Sequence, residues 1–163
     1  QTQITQVCAG FGSTTRGVRS GGYDGAGGGS SETNVMDYVT ISSQGNAIDF
    51  GDMTLARRGH GGCSSSTRGL NAGGFTGSTN TNSIDYVTIS NTGNATDFGD
   101  LIKMSGLNVR AASSHTVGAF IDSNNTIVTV TIASTGNATD FADLTGTTSD
   151  AYMTNSNGHG GLS

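Results

Sequence analysis

The 163-residue chain contains no proline, no tryptophan and a single lysine, and charged residues make up 12% of it, about half the usual share. Its six arginines are scattered apart from the pair Arg57 and Arg58, and the formal net charge is −5. Proteins that bind nucleic acids cluster lysine and arginine to meet phosphate. We therefore expect no nucleic-acid partner, and we expect the arginines to be surface or structural residues.

The chain also lacks long apolar runs. Nowhere do about 18 consecutive apolar residues occur, so we expect no membrane-spanning helix. The first residues, QTQITQV, do not show the basic and then apolar segments of a signal peptide. Since the chain does not begin with methionine, we expect it to be a processed product or a portion of something longer.

Cysteine is scarce as well. Cys8 and Cys63 are too few for a disulfide framework, and neither belongs to a Cys-x-x-Cys pair, so zinc is not expected. Both precede a Ser/Thr/Gly run that ends in Thr-Arg-Gly. We therefore expect them to occupy equivalent repeat positions as buried thiols, with a disulfide as the alternative.

One phrase is written three times along the chain. It reads DYVTISSQGNAIDFGDM at 37–53, DYVTISNTGNATDFGDL at 85–101 and VTVTIASTGNATDFADL at 128–144. A second block, STTRGVRSGG at 13–22, is echoed by SSTRGLNAGG at 65–74. Self-similarity at a period of about 40 to 50 residues indicates a repeat fold. We divide a single domain, 1–163, into units at 1–53, 54–101, 102–144 and the start of a fourth at 145–163.

The second unit contains four strand candidates, separated by turn residues. We predict strands at 61–65, 67–72, 84–90 and 95–101, and the segment Asn91–Asn94 between the last two has turn chemistry, because Gly and Asn accept positive φ. Four short antiparallel strands per repeat are typical of β-propeller blades. The predicted fold is therefore all-β and propeller-like; the alternative is a β-trefoil, which also has three four-stranded units.

Glycines and aromatics recur at fixed places in the units. A double glycine lets a neighbouring backbone approach closely, and an aromatic at the end of each unit can pack between successive sheets. The residues predicted to serve the repeat in this way are Gly21, Gly22, Tyr38, Phe50, Gly73, Gly74, Tyr86, Phe98 and Phe141.

Residues that could support catalysis or bind metals also fall at repeat positions. His60 and His159 share one position, so we expect packing or a recurring hydrogen bond there. Asp49 and Asp52 recur in the later units and could indicate calcium or an acid–base pair. Because residues three apart on a strand point to opposite faces, we expect these carboxylates to cap amides instead. The sequence predicts no catalytic residue, no metal site and no cofactor.

The second unit resembles a kelch repeat. Its ARRGHGG string at 56–62, the double glycine at 73–74, Tyr86 and Phe98 follow the family's Arg-x-Gly-His-like start, double glycine, tyrosine and tryptophan. Phenylalanine replaces the tryptophan in all three copies. The third copy has lost the tyrosine, and we align Val130 with the tyrosine position. Gly-His-Gly-Gly recurs at 158–161, which predicts the start of a fourth unit.

The recurring phrase, taken with GGCSSSTRG at 61–69, is similar to kelch-like repeat proteins encoded by tailed bacteriophages of aquatic bacteria, cyanophages among them. The resemblance implies a β-propeller that serves as a binding scaffold without catalysis, in a virion or host-contact protein. About three and a half repeats would make a partial ring, completed by a second copy or by a longer parent chain.

The loops at 25–34 and 76–83 differ between units, and variable loops on a fixed scaffold usually determine binding specificity. We expect a virion or extracellular protein whose partners are copies of itself, other virion proteins or a cell-surface glycan, with neither nucleic acid nor membrane involved. The alternatives are a self-assembling extracellular fibre protein and a fragment of a carbohydrate-active enzyme. The candidate binding residues are Tyr23, Asp24, Thr76, Asn80, Asn82 and Asn124.

Overall fold

The computed structural model describes residues 5–24, 31–102, 108–121 and 124–145. The predicted fourth unit, including His159, therefore lies outside the described residues apart from Thr145. All the regular secondary structure in the described part is β-strand. Within those same ranges, no helix is long and apolar enough to cross a membrane.

The described ranges contain thirteen strands in chain order. Those of the first unit are β1 (Thr5–Gln6), β2 (Ala9–Gly12), β3 (Arg16–Asp24), β4 (Ser31–Thr40) and β5 (Ile48–Asp52). Those of the second are β6 (Gly61–Ser64), β7 (Arg68–Ala72), β8 (Ser83–Thr88) and β9 (Thr96–Asp100). Those of the third are β10 (Arg110–Ser113), β11 (Val117–Ile121), β12 (Thr126–Thr131) and β13 (Thr139–Asp143).

Each of the first three units forms its own antiparallel sheet, with its strands hydrogen-bonded in chain order. We call these sheets blade 1 (β2–β5), blade 2 (β6–β9) and blade 3 (β10–β13); β1 adds a short fifth strand to blade 1 through the end of β3. The prediction of four-stranded antiparallel units is confirmed. The first strands of neighbouring blades contact one another, β2 with β6 and β6 with β10. Since each unit completes its pairing within one sheet, the arrangement favours a propeller-like fold over a trefoil.

The hydrophobic core lies between the blades. One cluster joins residues of blades 1 and 2, including Phe50 and Ile89, and another joins blades 2 and 3, including Phe98 and Ile132. Phe50 and Phe98 are buried and meet Tyr38 and Tyr86 edge to face, at centroid distances of 5.9 and 6.0 Å. In the first two units these aromatics lie in the clusters between successive sheets.

Phe141 of the third unit is exposed in the described structure, and the predicted packing against a following sheet stays a prediction, because 146–163 lie outside the described residues. Its residue surface is 70% exposed, although it occupies in β13 the position that Phe98 occupies in β9. Phe141 is exposed because no described blade packs against the outer side of blade 3. An aromatic at this repeat position becomes buried when a following blade covers it.

Strand register corrects two alignments made from the sequence. Cys63 pairs with Leu70 in blade 2 as Phe11 pairs with Val18 in blade 1, so Cys63 is equivalent to Phe11 and not to Cys8. Both cysteines are free, and Cys63 is buried whereas Cys8 is exposed, so the expectation of two buried thiols is wrong for Cys8.

The second correction concerns the missing tyrosine of the third unit. Tyr86 pairs with Leu70, and the corresponding pair in blade 3 joins Thr129 to Ala119. Thr129, rather than Val130, therefore stands at the tyrosine position. Val130 corresponds to Val87 instead, and both valines are buried.

The double glycines follow the expectation of close approach and add a conformational requirement. Gly73 and Gly74 have φ of +68° and +107°, values that residues with a side chain rarely adopt. A Cβ on Gly74 would lie 2.8 Å from the carbonyl oxygen of Arg58. The second strand of the blade can therefore end against the connection from the preceding blade because no side chain intervenes.

Candidate functional site

The candidate binding residues lie at one end of the blades. Because the strands of each blade are antiparallel and follow chain order, the loops between second and third strands emerge at the same end as the connections between blades. We call this the loop end. It carries candidates from all three blades: Tyr23 and Asp24 at the end of β3, Thr76, Asn80 and Asn82 between β7 and β8, and Asn124 between β11 and β12.

Four side chains from blades 1 and 2 come together at the loop end. The guanidinium carbon of Arg58 lies 4.7 Å from the ring centroid of Tyr23 and 5.0 Å from that of Phe75. Its Nη1 atom is 3.0 Å from Oε1 of Glu32. We call Tyr23, Glu32, Arg58 and Phe75 the ring platform. The Arg58 side chain is 36% exposed, so the platform is accessible from solvent.

Backbone pairing holds the ring platform in place. The amide of Arg58 donates to the carbonyl oxygen of Phe75 at 3.0 Å, and the amide of Phe75 donates back at 2.8 Å. The following loop turns at Gly77, where φ is +88° and a Cβ would collide with the Glu32 carboxylate. The β7–β8 loop of blade 2 can therefore reach β4 of blade 1, which brings the two rings into contact with one arginine.

The other candidates have different surroundings. The Thr76 hydroxyl donates to the carbonyl oxygen of Thr79 at 2.9 Å, so it stabilises its own turn. Asn82 accepts the amide of Leu101 through its carbonyl oxygen at 2.7 Å, which ties the loop to the end of β9. Asn80 is exposed beside Phe75, with which it forms a β-bridge. Asp24 pairs with Ser31 where β3 meets β4, and Asn124 lies in the loop between β11 and β12 of blade 3. Of the platform's four residues, the sequence predicted Tyr23.

A buried polar cluster lies between blades 1 and 2, next to the ring platform in sequence. Nη2 of Arg57 is 2.9 Å from Oδ2 of Asp85, and both side chains have no exposed surface. Nη1 of Arg57 donates to the carbonyl oxygen of Ser83 at 2.9 Å, and the hydroxyl of Thr54 donates to Asp85 at 2.7 Å. The cluster therefore ties the connection after β5 to strand β8 of the next blade.

His60 belongs to the same buried layer. Its Nε2 atom is 3.2 Å from the hydroxyl of Ser20, which donates to Oδ1 of Asn71 at 2.6 Å. Burial, with a smaller contribution from the positive charge of Arg57, lowers the pKa of His60 to about 3. His60 is therefore neutral near pH 7, and its contacts fit the hydrogen-bonding role expected of its repeat position.

The recurring aspartates do not form a metal centre in the described part of the chain, where no group of three or more His, Cys, Asp or Glu residues could hold an ion. The recurring contact at these positions uses the aspartate backbone. The amide of Asp52 donates to Oδ1 of Asn94 at 3.1 Å, and that of Asp100 donates to Oδ1 of Asn137 at 3.0 Å. The asparagine side chains therefore cap the amides, whereas the sequence suggested caps made by the aspartate carboxylates.

Comparison with known proteins yields a likeness of fold. No protein-family model matches the sequence, and no curated protein matches it. The structure is similar to the solved structure of YjhT, with a TM-score of 0.71 and 6% sequence identity over 86% of this chain. The match covers 53% of the YjhT chain, so the present chain spans about half the length of YjhT. At this identity the likeness concerns the fold alone, and it supports a propeller-like β architecture.

Proposed function

We propose that this chain is a non-catalytic binding module, built from kelch-like propeller blades, that recognises a host-surface glycan at its loop end as part of a phage virion. The observation behind the proposal is the ring platform, in which the Arg58 guanidinium contacts the rings of both Tyr23 and Phe75. The platform sits where the loops of the units differ in sequence, and such loops commonly carry specificity.

The chemistry of the ring platform suits an uncharged, polar ligand. The Glu32 carboxylate, 3.0 Å from Arg58, balances the guanidinium charge, so the platform offers little net attraction to phosphate or carboxylate groups. Aromatic side chains combine a flat apolar surface with low conformational entropy loss. Sugar rings present apolar C–H faces and hydroxyl edges, which the rings and the nearby exposed Asn80 can contact together.

A glycan array with the full chain tests the recognition. We expect binding to at least one neutral surface glycan, and about tenfold weaker binding in Phe75→Ala and Tyr23→Ala, since a tenfold change corresponds to about 1.4 kcal/mol. Phe141→Ala is the matched control, because Phe141 is an exposed aromatic of blade 3 outside the platform. Failure to bind any glycan, or equal losses in all three variants, would show that the platform is not a glycan site.

The virion assignment has a separate test. Mass spectrometry of purified phage particles should detect peptides of this chain together with the capsid and tail proteins. Their absence from particles that infect normally would remove the virion part of the proposal, while the glycan measurements would still decide the binding part.

A further inference from the structure

Blades 1 and 2 are joined by a backbone interlock. The amide of Gly93 donates to the carbonyl oxygen of Phe50 at 2.7 Å, and the amide of Ala95 donates to that of Asp52 at 2.8 Å. In return, the amide of Asp52 donates to Oδ1 of Asn94 at 3.1 Å. A Gly-Asn-Ala loop of one blade thus holds the Phe-Gly-Asp end of the outer strand of the blade before it.

The same interlock joins blades 2 and 3. Gly136 and Ala138 donate to the carbonyl oxygens of Phe98 and Asp100 at 2.7 and 2.9 Å, and Asn137 accepts the amide of Asp100 at 3.0 Å. The two interfaces between blades use the same atoms at nearly the same distances, so they define a recurring mode of docking. The repeated phrase of the sequence supplies both halves of it.

The central glycine of the Phe-Gly-Asp strand is required by this geometry. Gly51 and Gly99 have φ of +134° and +145°, and a Cβ on either would lie 2.5 Å from the carbonyl carbon of Gly93 or Gly136. Real Cβ atoms do not approach backbone atoms so closely. A strand with any side chain at this position therefore fails to seat against a Gly-Asn-Ala loop without a backbone shift.

Blade 1 presents a third Gly-Asn-Ala loop, at 45–47, which is exposed. Val39 and Ile41 beside it are 43% and 60% exposed, whereas the equivalent Val87 and Ile89 are 4% and 1% exposed under blade 1. A cavity of about 360 Å³ opens on this side of blade 1 and includes Gly17 and Ala47 in its wall. The residue of blade 2 equivalent to Gly17 is Gly69, and the ring of Phe11 from blade 1 lies against it. We call this surface the open face.

The outer strand of blade 3 does not match the open face of a second copy. At the position of Gly51 and Gly99 it carries Ala142, and Ala142 is not among the residues with positive φ. Its methyl group would meet the backbone of Gly45 in the interlock that the two inner interfaces show. Head-to-tail stacking of identical copies through this interlock is therefore disfavoured, as is a fibre built in that way.

We propose that the open face of blade 1 docks a β-strand with the pattern Phe-Gly-Asp, supplied by a protein segment other than blade 3 of a second copy. The amides of Gly45 and Ala47 donate to the carbonyl oxygens of the phenylalanine and aspartate, and Asn46 accepts the aspartate amide. Ala142 acts as a specificity element that prevents self-docking. This surface is separate from the ring platform, so the proposal holds or fails independently of glycan binding.

Two synthetic peptides test the proposal on the full chain. One has the sequence of 96–101, TDFGDL, and the other that of 139–144, TDFADL; they differ at the glycine. Titration followed by backbone NMR should show the TDFGDL peptide shifting the amides of Gly45 and Ala47, with at least about tenfold weaker binding of TDFADL. Asn46→Ala should weaken binding of TDFGDL, whereas Asn80→Ala, which changes another exposed asparagine, at the loop end, should leave it unchanged.

Several results would overturn the proposal. Equal binding of the two peptides would show that the glycine does not select the strand, and shifts confined to other amides would place the peptide elsewhere. Absence of binding at millimolar peptide would show that the open face does not dock this strand. Concentration-dependent association of the wild-type chain by light scattering, with Val39 and Ile41 protected, would identify a second copy as the occupant.

Discussion

Nη2 of Arg57 lies 2.9 Å from Oδ2 of Asp85, and neither side chain has any surface exposed to solvent. The arginine belongs to the connection that leaves blade 1, and the aspartate to an inner strand of blade 2. Burial lowers the pKa of Arg57, and Asp85 opposes that effect. Because a charge inside a protein needs a partner, this pair links the folding of one blade to that of the next.

Asp85→Asn should reduce the free energy of unfolding by about 3–5 kcal/mol, because it leaves the buried Arg57 charge uncompensated without changing the volume of the side chain. Urea denaturation at pH 7 measures the loss. Asp97→Asn is the matched control, since Asp97 is exposed on the adjacent strand and should change stability by less than about 0.5 kcal/mol. Equal effects of the two substitutions would show that the ion pair does not link the blades.

His60 should make the stability depend on pH. Its pKa is about 3 when folded and 6.5 in the unfolded chain, so below pH 6.5 the unfolded state binds the proton and the folded state does not. His60 therefore does not lower the free energy of unfolding above pH 6.5. As the pH falls from 6.5 toward 3, that free energy decreases by up to about 1.4 kcal/mol per pH unit.

His60→Gln should therefore show a shallower loss of stability between pH 6.5 and 4 than the wild-type chain does, as followed by urea denaturation at each pH. His115→Gln, which removes an exposed histidine, is the control for the loss of an imidazole. If the slope of His60→Gln matched the wild-type slope, the acid sensitivity would have to come from other groups.

Gly99→Ala should destabilise the protein by about 1–3 kcal/mol, because φ at this residue is +145° and the new methyl group would meet the backbone of Gly136. Urea denaturation of the purified variant provides the measurement. Ala142→Gly makes the reverse change at the equivalent position of blade 3, which is exposed, so it should alter stability by less than about 1 kcal/mol. Unchanged stability in Gly99→Ala would contradict the interlock, and with it the basis of the open-face proposal.

The two cysteines should react at very different rates. Burial raises the pKa of Cys63 to about 12, so its reactive thiolate form is scarce at pH 8. Cys8 is exposed. A thiol reagent at pH 8 should therefore label one site per native chain, identified as Cys8 by mass spectrometry, and label Cys63 after unfolding. Rapid labelling of the native Cys8→Ser variant would contradict the buried position of Cys63.

Local patterns were sufficient to predict the strands of the repeat. In the second unit the observed strands begin and end within two residues of the predicted ones, because β-branched residues alternate there and turn residues separate the runs. The alignment of Cys8 with Cys63 was wrong for a related reason. The similar Ser/Thr/Gly composition after each cysteine aligns Cys8 with Cys63 in sequence. Strand register aligns Cys63 with Phe11 instead, because Cys63 pairs with Leu70 as Phe11 pairs with Val18.

The sequence by itself determined the unit of this protein, with four antiparallel strands and an aromatic such as Phe98 poised at the outer one. The tertiary structure alone decided which of these features become buried or meet. Phe98 is buried, whereas Phe141 is exposed in the described structure. The side chain of Asn94 caps an amide of the preceding blade, and Arg58 contacts two rings from different blades. These contacts join residues far apart in sequence, so they depend on how whole blades pack, which local propensities do not encode.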